Sequence, residues 1–123
     1  MQPMVLYVED KIERLQTMRA LLESKGYIVL TAENGQEALE LFKHNPVQLS
    51  IVDYAMPAMN GDVVARGMKF LKPHVPVIIF SGVLSLSDRV IAMVDGFIST
   101  AEEPDVLLNK ISELLPLNRA KAS

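Results

Sequence analysis

Short apolar runs alternate with longer amphipathic stretches along the whole chain. Runs rich in β-branched and aromatic residues predict five strands, at residues 4–8, 27–31, 47–52, 77–80 and 96–99. Apolar residues that recur every three or four positions predict five helices, at about residues 11–25, 36–44, 63–71, 85–94 and 104–115. Strands that alternate with helices form a parallel sheet with helices on both faces, so the pattern predicts an α/β domain.

Several predicted helix ends carry residues that favour capping. Asp10, followed three positions later by Glu13, predicts an N-cap with a capping box for the first helix. Asn34 predicts the N-cap of the second helix, and Pro104 the first turn of the last. Gly26 stands where a glycine can end the first helix. These residues support the helix boundaries that the apolar pattern predicts.

Acidic residues come directly after two of the apolar strands. Glu9 and Asp10 follow the first strand, and Asp53 follows the third. Ligands of doubly wound sheets bind beyond the carboxyl ends of the strands, where these carboxylates meet if the two strands are neighbours. Ser81 and Gly82 end the fourth strand at the same edge. The edge therefore gathers a polar cluster that the core does not need.

Three neighbouring carboxylates repel one another, and a divalent cation with a preference for oxygen ligands, such as Mg²⁺, relieves the repulsion. Mg²⁺ beside an aspartate favours phosphoryl transfer, in which Asp53 becomes an aspartyl phosphate and Ser81 hydrogen-bonds the new oxygens. From the residues alone, plainer interpretations stay open. Asp10 can be only a helix cap, Asp53 the start of a turn, and Ser81 with Gly82 the end of a strand.

The composition narrows the class of protein. Of the 123 residues, 50% are hydrophobic and 22% are charged, which suits one folded core. A net charge of −3 without a basic stripe argues against nucleic acid as a direct partner. Cysteine is absent, which excludes disulfides and thiol catalysis, and no apolar run approaches the roughly 20 residues that span a membrane. We expect a cytoplasmic protein with no membrane partner, with one domain at residues 1–117 and a tail at 118–123.

Four stretches resemble the receiver domains of bacterial two-component response regulators. They are residues 5–10 (VLYVED), 31–39 (TAENGQEAL), 53–61 (DYAMPAMNG) and 76–82 (PVIIFSG). The resemblance extends from residue 4 to about residue 115. It implies the chemotaxis-regulator type of flavodoxin-like fold, a doubly wound (βα)5 sandwich whose parallel strands are ordered 2-1-3-4-5.

The resemblance also implies a role for each residue at the acidic edge. Asp53 matches the phosphoacceptor, and Glu9 and Asp10 match the acidic pair that holds Mg²⁺. Asp53 and the backbone carbonyl of Ala55 complete the implied protein ligands. Such a domain is a phosphoacceptor rather than an enzyme, apart from any intrinsic autodephosphorylation.

Two further matches concern the switch, and one position departs from the family. Ser81 matches the hydroxyl that turns toward the phosphate, and Phe97 the aromatic residue that moves inward with it. Thr100 stands where the family has its active-site lysine, and no lysine lies between Lys72 and Lys110. We therefore predict that Asp53 can be phosphorylated but that phosphorylation couples less well to the switch.

The implied partners are a histidine kinase or phosphotransfer protein and a downstream protein target that the sequence does not identify. The domain can be a stand-alone receiver or a part of a longer regulator or hybrid kinase. The alternative is a pseudo-receiver, a protein-interaction module that works without phosphorylation. Enzyme classes fit less well: a haloacid-dehalogenase phosphatase needs an aspartate where Ala55 stands, and a flavodoxin needs a phosphate loop where Glu9 and Asp10 stand.

Overall fold

The computed structural model describes residues 2–115, in which strands and helices alternate throughout. The strands are β1 (Met4–Val8), β2 (Ile28–Ala32), β3 (Leu49–Val52), β4 (Val77–Ser81) and β5 (Gly96–Ser99). The helices are α1 (Ile12–Ser24), α2 (Gly35–His44), α3 (Gly61–Leu71), α4 (Asp88–Met93) and α5 (Pro104–Leu114). The predicted tail at 118–123 lies outside the described residues. No described helix is long and apolar enough to cross a membrane.

The sheet has the predicted strand order, β2-β1-β3-β4-β5, and every pair of neighbouring strands is parallel. Val8 at the end of β1 pairs with Ala32 on one side and with Val52 on the other. The ladder continues one residue further, because the Glu9 amide donates to the Ala32 carbonyl and the Asp53 amide donates to the Val8 carbonyl, both at 3.0 Å. Glu9 and Asp53 therefore leave adjacent strands at the same height, where the strand order reverses.

Side chains of the central strands alternate between two hydrophobic cores. Tyr7, Ile51 and Ile98 point to the first core, which α1 and α5 cover. Val8 and Val52 point to the second core, which α2 and α3 cover. Because consecutive strand residues face opposite sides, two residues that lie two positions apart in one strand face the same core.

The start of α1 differs from the prediction. The N-cap residue is Lys11, and no side chain caps this helix, so the prediction that Asp10 and Glu13 form a capping box is wrong. The Lys11 amide instead donates to Oε2 of Glu9 at 3.2 Å, and Asp10 turns toward the other carboxylates. Because Asp10 belongs to the carboxylate cluster at the strand ends, its side chain does not cap α1.

The end of α1 explains why β2 begins one residue later than predicted. The Gly26 amide donates to the Glu23 carbonyl, and the Tyr27 amide donates to the Leu22 carbonyl. These two bonds form a Schellman motif, with Gly26 at a φ of +95°. Tyr27 therefore completes the helix end and does not start the strand.

Two elements are shorter than predicted. The Val47 amide donates to the Asn45 carbonyl in a tight turn, so β3 begins at residue 49 instead of 47. Helix α4 has six residues instead of ten. It begins after its N-cap residue Ser87, whose side chain accepts from the Val90 amide, and it ends before Val94, whose backbone is extended. The remaining strands and helices, α3 apart, end within one residue of the prediction.

Helices α2 and α3 both follow an asparagine. The predicted N-cap at Asn34 is confirmed: its side chain accepts from the Glu37 amide at 2.8 Å, and the Glu37 carboxylate accepts from the Glu33 amide. Asn60 is also an N-cap residue, but its side chain makes no capping bond, and α3 begins at Gly61, two residues earlier than predicted. Both helices therefore start close to the carboxyl edge of the sheet.

Candidate functional site

Three carboxylates meet at the edge of the sheet between β1 and β3. Glu9, Asp10 and Asp53 each offer an oxygen, and these oxygens all lie within 4.8 Å of one another. Glu9 is 0% and Asp53 4% exposed, while Asp10 is half-buried. Burial strengthens the repulsion between such groups because the surrounding dielectric is low.

The loop after β3 folds tightly around Asp53. The Gly61 amide donates to the Tyr54 carbonyl at 2.7 Å, which closes the loop. A Cβ at position 61 would overlap the Asp53 carbonyl, so only glycine permits this approach. Met56 is buried and anchors the loop, whereas Ala55, whose carbonyl is the predicted fourth ligand, is exposed. The loop thus fixes the backbone next to the carboxylate.

The electrostatics of the cluster centre on Glu9. Burial, and then the negative charge of Asp53, raise the pKa of Glu9 to about 7. The Lys11 amide and the Arg14 guanidinium, whose Nη1 lies 3.4 Å from Oε1 of Glu9, act in the opposite direction. Burial and then the charge of Glu9 also raise the pKa of Tyr7, which lies below it on β1. The site therefore carries more negative charge than its own surroundings stabilise.

The donor set fits a hard divalent cation. All three groups are carboxylates, and oxygen ligation of this kind suits Mg²⁺. Oδ1 of Asp10 is buried and has no hydrogen-bond partner within the described residues. An orphaned buried carboxylate oxygen costs free energy unless a cation or a donor satisfies it. The fit therefore rests on the structure as well as on the sequence pattern.

The neighbouring half of the edge, at the ends of β4 and β5, is polar but uncharged. Ser81 is buried, and its hydroxyl accepts from the Val83 amide at 3.5 Å. The Thr100 amide donates to the Ser81 carbonyl at 3.1 Å, and the Thr100 hydroxyl lies close to Gly82. Phe97 is half-buried on β5 and pairs with Ile79, two residues before Ser81 in its strand. Ser81 and Thr100 therefore share this edge, and Phe97 lies further from it.

The two lysines that flank this region in the sequence are committed elsewhere. Nζ of Lys72 donates to the carbonyls of Phe42 and Asn45 at 2.8 and 2.9 Å. Lys110 lies 3.5 Å from Glu113, and its stem packs beside Gly96, at the amino end of β5. Neither lysine occupies the position that the resemblance reserves for one.

A model of the response regulator receiver domain matches residues 5–112. This span includes both acidic strand ends and the turn after β5. The chain belongs to the response regulator receiver family. Receiver domains are the phosphoacceptor modules of two-component signal transduction, so the predicted family and fold are both confirmed.

Curated relatives of this receiver domain are much longer proteins. The autoinducer 1 sensor kinase/phosphatase LuxN of Vibrio campbellii is 33% identical over 123 residues, which are 98% of this chain and 14% of LuxN. The transcriptional regulatory protein ZraR of Klebsiella oxytoca is 31% identical over 122 residues, which are 97% of this chain and 28% of ZraR. The chain thus spans only a small part of these relatives.

Solved receiver structures have the same fold over nearly the whole chain. The response regulator TrrA of Thermotoga maritima, solved in complex with Mg²⁺-BeF, has a TM-score of 0.88 and 29% identity, and the match covers 93% of this chain and all of TrrA. A receiver domain from Clostridium thermocellum has a TM-score of 0.85 and 30% identity, with 98% of each chain covered. Similarity at this level shows that the receiver fold extends over nearly the whole chain.

One functional candidate was not evident from the sequence. Arg14 lies in the first turn of α1, and it forms the ion pair with Glu9. A charged residue on an amphipathic helix is ordinarily assigned to the solvent side. Its position in the sequence is the signal that could have identified it. Arg14 comes shortly after the end of β1, and the first turn of a helix that follows a strand lies over the end of that strand.

Proposed function

We propose that this receiver accepts a phosphoryl group on Asp53, with Mg²⁺ held by Glu9, Asp10, Asp53 and the carbonyl of Ala55. The observation that carries the proposal is the cluster of three carboxylates within 4.8 Å, two of them buried. A structural role does not require acids that repel one another at a sheet edge. The Mg²⁺-BeF complex of TrrA supports the same chemistry in a relative.

In the proposed reaction an oxygen of Asp53 attacks the phosphorus of a phosphohistidine. The new P–O bond forms as the P–N bond breaks, and the electron pair of that bond leaves with the imidazole. Bound Mg²⁺ supplies neutralisation of the charge on the transferred oxygens. Ser81 donates its hydroxyl hydrogen to one of these oxygens. Hydrolysis of the aspartyl phosphate by water, an intrinsic autodephosphorylation, returns Asp53 to its resting state.

The output is a change of protein–protein contacts. Ser81 moves toward the phosphoryl group, and Phe97 follows it inward to alter the surface around β5. Thr100 offers no ammonium group to the phosphoryl oxygens, so we expect weaker coupling between phosphorylation and this movement. The donor is a histidine kinase or phosphotransfer protein. Relatives as different as LuxN and ZraR support the class of partner and leave its identity open.

A second candidate is a pseudo-receiver that binds its partner without phosphorylation. The observation that favours it is the stretch between Lys72 and Lys110, which contains no lysine, together with the engagement of both lysines away from the site. The buried acids favour the first candidate, because an interaction module has no use for them.

Beryllofluoride, which mimics a phosphoryl group, separates the two candidates. We expect the native protein at millimolar Mg²⁺ to bind it with backbone NMR shifts around Asp53, and acetyl phosphate to add one phosphoryl mass to the chain. Asp53→Asn should lose both effects. Asp88→Asn, the same change at an exposed residue of α4, is the matched control and should keep them. A native protein that binds no beryllofluoride supports the pseudo-receiver instead.

A further inference from the structure

The acidic edge has few cationic side chains to balance its three carboxylates. Within residues 2–115, only Arg14 and Lys11 form ion pairs with the three carboxylates. The position after β5 holds Thr100. A phosphoryl group would add further negative charge at this edge, so a second source of positive charge besides Mg²⁺ is needed.

The side of the sheet on which the site opens favours Arg14. Tyr7 and Ile51 face the first core. Glu9 and Asp53 lie two residues after them and therefore on the same side of the sheet. Thr100 lies two residues after Ile98 of β5, which also faces the first core. Helix α1 covers this face, so Arg14 approaches the carboxylates from the side where the family lysine is expected.

The contact itself shows a cation that is close and only partly committed. Nη1 of Arg14 lies 3.4 Å from Oε1 of Glu9, whose side chain is 1% exposed. The Arg14 side chain is 42% exposed, and its guanidinium has no other hydrogen-bond partner within the described residues. Its remaining N–H groups are free to bind oxygens, and guanidinium binds phosphate oxygens in a bidentate geometry.

Lys11 is the weaker candidate. Its Nζ lies 4.0 Å from Oδ2 of Asp10, and its side chain is 62% exposed. Of the two cations, Lys11 therefore has the longer contact and the more exposed side chain.

We propose that Arg14 binds the oxygens of the phosphoryl group on Asp53 and supplies the positive charge that Thr100 does not. This inference rests on the proposed function of Asp53. Once the charge of Glu9 is shared with a bound cation, the guanidinium loses its present partner and is available to the phosphoryl oxygens. Because the charge comes from α1, the turn after β5 stays untethered, which agrees with the weaker coupling expected for Thr100.

Arg14→Gln tests the proposal through two affinities. At saturating Mg²⁺ we expect beryllofluoride to bind about tenfold more weakly, as one charge-assisted contact is lost. Without beryllofluoride we expect Mg²⁺ to bind a few-fold more tightly, because a competing cation has been removed from Glu9. Arg14→Lys should lie between, and adding Thr100→Lys to Arg14→Gln should restore beryllofluoride binding.

Arg19→Gln is the matched control, since Arg19 lies on the same helix and pairs with Glu23 at 3.4 Å. It should change neither affinity. Unchanged beryllofluoride binding in Arg14→Gln would overturn the inference. Weaker binding of both ligands would also overturn it, because a residue that only orients Glu9 gives that result. A native protein that binds no beryllofluoride contradicts the proposed function itself, which keeps the two failures distinct.

Discussion

Acidic side chains lie at both ends of the sheet, and their surroundings are opposite. At the amino end, Oδ2 of Asp95 accepts from the Val77 amide at 2.8 Å and pairs with Lys69 at 2.6 Å. At the carboxyl end, carboxylate oxygens of Glu9 and Asp53 lie within 4.8 Å of each other, and the one ion pair of Glu9 among the described residues is with the partly exposed Arg14. Asp95 therefore has partners that balance its charge, whereas the carboxylates at the other end lie close enough to repel one another.

The difference indicates that the acid at the amino end stabilises the fold, whereas the acids at the carboxyl end serve a binding site. Asp95 stabilises the fold because it binds the first residue of β4 twice. Its carboxylate accepts from the Val77 amide, and its own amide donates to the Val77 carbonyl at 2.8 Å. At the carboxyl end, burial and the charge of Asp53 raise the pKa of Glu9, and this repulsion makes the fold less stable than it could be. Sites that bind a charged ligand commonly carry such a cost. The two ends should consequently respond to substitution with opposite sign.

The largest expected effect is at the amino end. Asp95→Ala leaves the buried Val77 amide without an acceptor and Lys69 without its anion, so we expect a loss of about 2–3 kcal/mol in the free energy of unfolding. Urea denaturation measures it. Asp95→Asn keeps an acceptor and should lose less, and Asp105→Ala, at an exposed residue of α5, should change little. Equal losses in all three variants would contradict the assignment.

The next effect is the pH dependence of the carboxyl end. The folded pKa of Glu9 is about 7 and its ordinary value is 4.5, so between these values the folded state binds more protons than the unfolded state. The stability from this group is complete below about pH 4.5 and is lost as the pH rises through about 7.

In EDTA, we expect native protein to lose about 1–2 kcal/mol relative to Glu9→Gln between about pH 5 and about pH 8. Groups that titrate in both proteins cancel in this difference. Denaturation curves at several pH values provide the measurement. Parallel stability profiles for the two proteins would show that Glu9 is not perturbed.

These two ends were not equally predictable from the sequence. Glu9 and Asp53 follow mostly apolar strands that the sequence pattern predicts, so strand order alone brings them together. The bridge from Lys69 to Asp95 joins the end of α3 to the residue before β5. No local pattern indicates such a contact, because it depends on how far α3 extends and how α4 ends.

Local signals also failed where one residue had two possible roles. Asp10 has the spacing of a helix cap, but the strand-end cluster holds it and Lys11 becomes the N-cap residue. Asn34 has no competing role, and its predicted cap is confirmed. The helical periodicity predicts that Arg14 faces solvent, and only its contact with Glu9 shows that it belongs to the acidic site. Tertiary contacts therefore decided the roles of Asp10 and Arg14, whereas the cap at Asn34 is local.

A smaller effect of opposite sign is expected for Asp53→Asn. Removing this charge relieves the repulsion on Glu9, so the free energy of unfolding without Mg²⁺ should rise by about 1 kcal/mol near pH 8. The pKa of Glu9, followed by carboxyl NMR, should fall in the same variant. A stability loss comparable with that of Asp95→Ala would show that both ends of the sheet serve only the fold.

The smallest effect is expected when a cation is added to the uncharged half of the edge. Thr100→Lys should raise the free energy of unfolding without Mg²⁺ by about 0.5 kcal/mol at low salt, and about 1 M NaCl should remove the gain. Ala101→Lys adds the same charge at the next, exposed position and should gain less. Thr100→Lys should also enlarge the structural change that acetyl phosphate drives, measured by backbone NMR. Identical full responses in native protein and Thr100→Lys would mean that the switch needs no lysine, and that the acidic half of the site drives it alone.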